Sequence, residues 1–235
     1  RERKIVMMNL CFEPLSLEKS GHYLELYRAC PRQSSYYSFG SLWAWRNVFG
    51  LSWAFAGGMC WIRSEGDNLW APVGPWDDAD WRSIIPEIFP KPVSLQYAPD
   101  GLVRVLTDLL RDRVTAREVR SQWEYLHSVQ ELIALKGNRF SNKRSHIRQF
   151  TKNYDYEYRP MGPGDRNAVV NAQRLWLAER CSTDALLRET EAVKEMMEQW
   201  RNIPGLLGGI LEVKGSPAAY TIAEAISEDT VMIHF

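Results

Sequence analysis

Cysteine is scarce and scattered. Cys11, Cys30, Cys60 and Cys181 are the four in 235 residues, with no CxxC pair and no Cys/His spacing of a zinc site. That excludes a disulfide-built scaffold and a zinc ribbon, and predicts reduced, mostly buried thiols in a cytoplasmic protein. A long apolar run is missing too. The most apolar stretch, Val48 to Ile62, is 15 residues and contains three glycines. A membrane-spanning helix needs roughly 20 apolar residues, so this stretch reads as a strand hairpin. No secretory signal is visible, and a chain starting at Arg1 reads as a cytoplasmic fragment or trimmed protein. There is no Walker motif, GxGxxG, HExxH or GxSxG, so ATPases, dehydrogenases, metalloproteases and ordinary serine hydrolases lack support. Net charge is absent as well, with 29 basic and 29 acidic side chains.

What is present is core-forming material in quantity. Residues are 45% hydrophobic and include ten Trp, ten Tyr and eight Phe, which excludes disorder as the main state. Trp43, Trp45, Trp53, Trp61, Trp70, Trp76 and Trp81 crowd the first half and read mainly as core. The neutral total also hides a gradient. Residues 1–110 carry 11 basic and 12 acidic side chains, residues 111–152 carry 10 and 4, and residues 153–235 carry 8 and 13.

The order of elements runs in parallel in two halves. An extended segment around Phe12–Leu15 leads to a helix ending near Cys30, then a helix over 39–48. Strands follow at 51–56, 59–64 and 68–72, with turns at Gly57-Gly58 and Gly66-Asp67. From Tyr158 the order begins again. A helix that Asp165 is placed to cap is followed by a second over 183–203, ended by Pro204-Gly205. On that second helix Met196 and Met197 read as core fillers. Strands follow at 207–213, 218–226 and 231–235. The first half alone continues, through a helix over 80–89, a strand over 93–98, a helix over 102–110 and a strand near 119–125. This order is similar to the GNAT acyltransferase fold: α+β, tandem GNAT-like (acyl-CoA N-acyltransferase-like) domains with mixed, mostly antiparallel sheets. The domains are residues 1–125, a basic segment 126–155, and residues 156–235, which stop after the third meander strand. In that fold a helix N-terminus holds the donor's pyrophosphate. At the equivalent turn the first half has Pro72-Val73-Gly74-Pro75, whose prolines lack N–H donors, and poor coenzyme A binding is expected there.

Between Glu131 and Asp155 no acidic residue occurs, while Lys136, Arg139, Lys143, Arg144, Arg148 and Lys152 do. Ser128 and Glu131 form a capping-box pattern for a short helix that Gly137 closes. A second helix over 141–153 repeats Arg144, Arg148 and Lys152 every four residues and is expected to turn Ile147, Phe150 and Tyr154 inward. Like charges at that spacing oppose helix formation, so an uncompensated run reads as a solvated face or, preferably, an anion site. The pattern Tyr125-Leu126, Glu131-Leu132-x-x-Leu135-Lys136-Gly137-Asn138-Arg139-Phe140-x-x-Lys143-Arg144-x-x-Ile147-x-x-Phe150-x-x-x-Tyr154 resembles the signature of the phosphatidylglycerol lysyltransferase C-terminal domain family. The resemblance extends to Ser38-Phe39-x-x-Leu42-Trp43-x-Trp45 and to Val231–Phe235. It implies a tandem GNAT arrangement and transfer of an aminoacyl or acyl group from aminoacyl-tRNA or acyl-CoA to an amine or hydroxyl. It also implies a role in holding phosphate or another anion for Lys136, Arg139, Lys143 and Arg144.

Acyl transfer needs a group to take the nucleophile's proton. Glu224 shares a strand face with Tyr220, Ile222 and Ile226, where desolvation suits a general base, although a water-facing carboxylate is the alternative. His234 is the tempting partner. If the Ser227–Thr230 turn pairs Ile226 with Val231, however, His234 falls on the opposite face. Tyr125 is a candidate proton donor. The substrate-holding set is Lys136, Arg139, Lys143, Arg144 and Arg148, and the expected ligand is an anionic small molecule, a lipid headgroup or tRNA. The competing reading is a non-catalytic module that binds such an anion in a cleft between the halves.

Overall fold

Alternating apolar residues bounded by glycine turns build two antiparallel-dominated sheets in a mixed α+β molecule. The computed structural model describes residues 10–31, 34–180 and 183–235, so the expectation for Cys181 lies outside the described residues. The first half comprises β1 (Glu13–Pro14), α1 (Ser20–Ala29), α2 (Phe39–Trp45), β2 (Ser52–Ala56), β3 (Met59–Ser64) and β4 (Asn68–Trp70). It continues through α3 (Trp81–Ile88), β5 (Leu95–Gln96) and α4 (Asp100–Leu110). Its sheet runs β1-β2-β3-β4-β5, antiparallel except for the last pair. Gly57 and Gly58, at φ 61° and 71°, give β2–β3 the left-handed two-residue turn that matches strand twist. Helices cover both faces. Trp53 stacks on Tyr23 of α1 and Phe39 of α2, while Trp61, pointing the other way, meets Trp81 of α3 edge-on. Six of the seven clustered tryptophans are buried, Trp45 being the exception.

The remainder is α5 (Val129–Ala134), α6 (Ser141–Asn153), β6 (Tyr156–Pro160), α7 (Arg166–Ala178), α8 (Asp184–Glu198), β7 (Leu206–Val213), β8 (Ser216–Ala225) and β9 (Val231–Ile233). The order β6-β7-β8-β9 repeats β1-β2-β3-β4, all antiparallel. One face of this sheet buries Ile210 and Ile222, and the two helices above it bury Val169, Val193, Met196 and Met197. Both methionines are core fillers, as their spacing implies. The opposite face carries Tyr158, Leu207, Val231 and Ile233 at 43–70% exposure.

The halves meet where α2 packs along α8, and one buried cluster contains core residues of both. Arg46 pairs with Glu195 at 2.8 Å, and Asn47 donates to the same carboxylate at 3.1 Å.

Four local expectations are corrected. Residues 119–125 form a 3₁₀ turn (Arg120–Gln122) instead of a strand, because no neighbouring strand pairs with them. Trp123 lies half-exposed under the Arg120 guanidinium. Asp165 does not cap α7; its carboxylate accepts from Gly162 N–H at 2.9 Å and pairs with Arg159 at 2.8 Å. Ile147 and Tyr154 are half-exposed, and of the three expected anchors only Phe150 tucks in, between Tyr154 and Tyr156. The thiols are not uniformly buried: Cys11 is exposed, Cys30 is half-buried and Cys60 is buried.

Candidate functional site

The structure places the predicted residues in two separate groups. The first is a polar junction between the halves. β8 and β9 pair with Ala225 opposite Val231, Glu224 opposite Met232 and Ala223 opposite Ile233. Ile226 bonds instead to Thr230 within the turn, which corrects the expected pairing with Val231. A one-residue slip moves every following side chain to the other face. His234, whose N–H donates to Ile222 C=O at 2.8 Å, therefore stands on the same face as Glu224. His234 Nε2 lies 2.9 Å from Glu224 Oε2, with the two side chains 1% and 4% exposed. The pair that sequence reasoning rejected is present.

The carboxylate does not face an open cleft. Both of its oxygens accept from Gly40 N–H in the first turn of α2, at 3.2 and 3.1 Å. That turn has free amide donors, and a carboxylate there is favoured by the helix dipole as well. Ser38 caps the same turn through Ser41 N–H at 3.2 Å. A Cβ on Gly40 would stand 2.5 Å from Glu224 Oε2 and 3.1 Å from His234 Nε2, so any larger residue would have to displace the carboxylate or the imidazole. Burial holds the Tyr27 phenol above its ordinary range, with the Glu224 charge adding to the effect. His234 Nδ1 is buried without a hydrogen-bond partner among the described residues. Gly40 escaped the sequence reading although a signal existed. Glycine inside a predicted helix costs about 1 kcal/mol against alanine and often marks a close approach.

The second group is the basic segment. Ser128 caps α5 through Glu131 N–H, but the Glu131 carboxylate pairs with Arg139 and does not complete the box. Leu135 ends the helix in the left-handed region, and Gly137 at φ 87° redirects the chain into the 3₁₀ turn Asn138–Phe140 and α6. Arg144 turns back on this corner and donates to the carbonyls of Leu135 and, at 2.9 Å, Gly137. Its guanidinium closes a helix end, and Arg139 lies over the Phe140 ring at 4.8 Å while held by Glu131. Lys136, Lys143 and Arg148 are exposed and have no ion pair among the described residues. Of the five expected anion holders, three present free cations, and two are committed to the local fold.

Between α6 and the second sheet lies an open groove of about 340 Å³, lined by His146, Ile147, Phe150, Thr151, Tyr156 and Leu211. Tyr125 is 78% exposed and has no hydrogen-bond partner among the described residues, so it joins neither group. At the Pro72–Pro75 turn the Gly74 N–H donates to Cys30 Sγ at 3.1 Å, which removes another amide from anion binding. Burial pushes the Cys30 thiol up to about 11. Among the described residues no group of His, Cys, Asp and Glu has the arrangement of a metal site, and no helix is long and apolar enough to cross a membrane.

Comparison with known proteins gives a family and a fold. A family model described as phosphatidylglycerol lysyltransferase, C-terminal, matches residues 27–235. No curated protein matches. A solved structure described as a conserved protein of unknown function from Bacteroides thetaiotaomicron VPI-5482 is similar at 24% identity with a TM-score of 0.82. The match covers 97% of this chain and 79% of that one.

Proposed function

The chain belongs to the phosphatidylglycerol lysyltransferase C-terminal family, and on that premise we propose that it acts as a GNAT-type aminoacyl or acyl transferase with an anionic substrate. The donor is an aminoacyl-tRNA or an acyl-CoA, and the acceptor is an amine or a hydroxyl. The observation that carries this is that Lys136, Lys143 and Arg148 are exposed with no acidic partner among the described residues, Lys143 and Arg148 lying on the helix that lines an apolar groove. Exposed cations without acidic partners draw phosphate and carboxylate groups. Arg139 and Arg144 support the same surface by fixing the corner between α5 and α6. The repeated strand order of the two sheets supports a tandem GNAT architecture.

In this mechanism the acceptor's nitrogen or oxygen attacks the donor's carbonyl carbon and gives up a proton to a base, the bond to the tRNA ribose oxygen or the coenzyme A sulfur breaks, and the leaving atom takes up a proton. Tyr125, exposed ahead of the basic segment, is the proposed proton donor. Glu224 and His234 serve as base and partner only if the contact with α2 opens, since neither reaches solvent in the arrangement described. That sealing favours a second reading, a module that binds the anion and leaves chemistry to another site.

Labelled lysyl-tRNA and labelled acyl-CoA, each offered with phosphatidylglycerol vesicles or a primary amine, separate the two. Transfer of label above the no-protein rate supports the transferase. Tight donor binding with no transfer to any acceptor supports the binding module. Glu224→Ala that binds donor normally but loses transfer assigns chemistry to that carboxylate, and unchanged transfer places the chemistry elsewhere.

A further inference from the structure

Two apolar surfaces can slide across one another at little cost, because dispersion and burial are not directional. The buried centre of the contact of α2 with α8 is of that kind, with the adaptable Met196 and Met197 among the buried side chains of α8. Two features of this junction are directional: the part-exposed contacts of Arg46 and Asn47 to Glu195, and a sealed contact inside it. The Glu224 carboxylate, from β8, reaches the Gly40 amide of the other half with both oxygens and holds His234 with one of them. All three groups are sealed from solvent, so displacement of the halves by an ångström or two strands a desolvated carboxylate without its donors. Gly40 sharpens the condition, since the Cβ of any larger residue would press on Oε2 from 2.5 Å.

We propose that Glu224, His234 and Gly40 form a docking lock, which selects a single orientation of the second half on the first and adds uniqueness to the junction more than stability. Replacing both partners of a buried ionic pair by apolar residues of similar size is often neutral in stability, whereas removing one partner leaves the other uncompensated. The lock is independent of whether the protein is a transferase or a binder.

The test uses the ten tryptophan indoles as reporters. Trp43 and Trp45 lie on α2, and Trp45 is 6.2 Å from Phe235, which follows His234. In ¹H–¹⁵N spectra the wild type and Glu224→Gln, which keeps an acceptor for Gly40, are expected to give one signal per indole. Glu224→Leu leaves the Gly40 N–H and the His234 imidazole buried without this partner and is expected to melt several degrees below wild type. Its Trp43 and Trp45 signals should split or broaden, and exchange at the Gly40 amide should be at least about tenfold faster. A single sharp set of indole signals in Glu224→Leu overturns the proposal, whatever the melting temperature, because the halves then find one orientation without the lock. Should Glu224→Leu fail to fold, Gly40→Ala carries the test against Gly21→Ala, whose added methyl meets nothing within 4 Å. Splitting at Trp43 and Trp45 in Gly40→Ala alone supports the lock, and unsplit signals in both variants overturn it.

Discussion

Two helical glycines differ in what an added methyl would meet. Gly40→Ala forces a methyl against Glu224 Oε2 and is expected to cost about 1–3 kcal/mol, the usual range for overpacking a filled site. Gly21→Ala, in open space on α1, is expected to be neutral or to stabilise by up to about 1 kcal/mol through helix propensity. Denaturant unfolding of both variants measures the contrast, and equal stability of the two would contradict the close approach. The cysteines differ in a comparable way. Burial raises the Cys30 thiol to about 11 and pushes Cys60 well above its ordinary value, so at pH 8 little of either is thiolate. A maleimide pulse at pH 8 followed by peptide mapping should label Cys11, which is exposed, before Cys30 and Cys60. Faster labelling of Cys60 than of Cys11 would mean that the first half opens.

The elements of the basic segment divide labour. Arg144→Ala unpairs the carbonyls of Leu135 and Gly137 and is expected to destabilise by about 1–2 kcal/mol. Lys143→Ala is expected to leave stability within about 0.5 kcal/mol, as exposed substitutions usually do, while weakening anion binding. If Lys143→Ala melts earlier and Arg144→Ala does not, the roles are reversed. At the start of α7 the Arg159 guanidinium holds the Asp165 carboxyl below its ordinary value. The carboxylate form is therefore favoured in the folded state. Its contribution is complete above the ordinary carboxylate pKa and is lost as pH falls through the lowered one. Asp165→Asn should melt a few degrees lower at pH 7 and converge on wild type in acid; a constant difference at all pH values would contradict the linkage.

Most of these elements were legible in the sequence, because glycine turns and alternating apolar residues specify strands locally. The meander strands of both halves fall where that pattern puts them. The segment 119–125 did not become a strand, because β-propensity without a neighbouring edge has nothing to bond to. The Glu224–His234 contact was hidden for a different reason. It depends on whether Ile226 pairs with Val231 or closes the turn onto Thr230, a one-residue choice that composition does not encode. The commitment of Arg144 and Arg139 to carbonyls and to Glu131 was hidden as well, since a cation's spacing along a helix says nothing of where its long side chain bends.

At the scale of the whole molecule, two sheets of matching strand order meet through α2 and α8, with a sealed polar contact at the seam and a cationic surface outside it. The account rests on that surface being the place where an anionic substrate is held. The direct measurement is tRNA affinity over a salt series, for the wild type and for the double variant Lys143→Ala, Arg148→Ala. The account predicts that log affinity falls linearly with log salt. It also predicts that the double variant loses about 0.7–0.9 of slope for each phosphate contact removed, with its melting temperature unchanged. Absence of tRNA binding at low salt would remove the aminoacyl-tRNA donor and leave acyl-CoA, while an identical slope in both proteins would contradict the account.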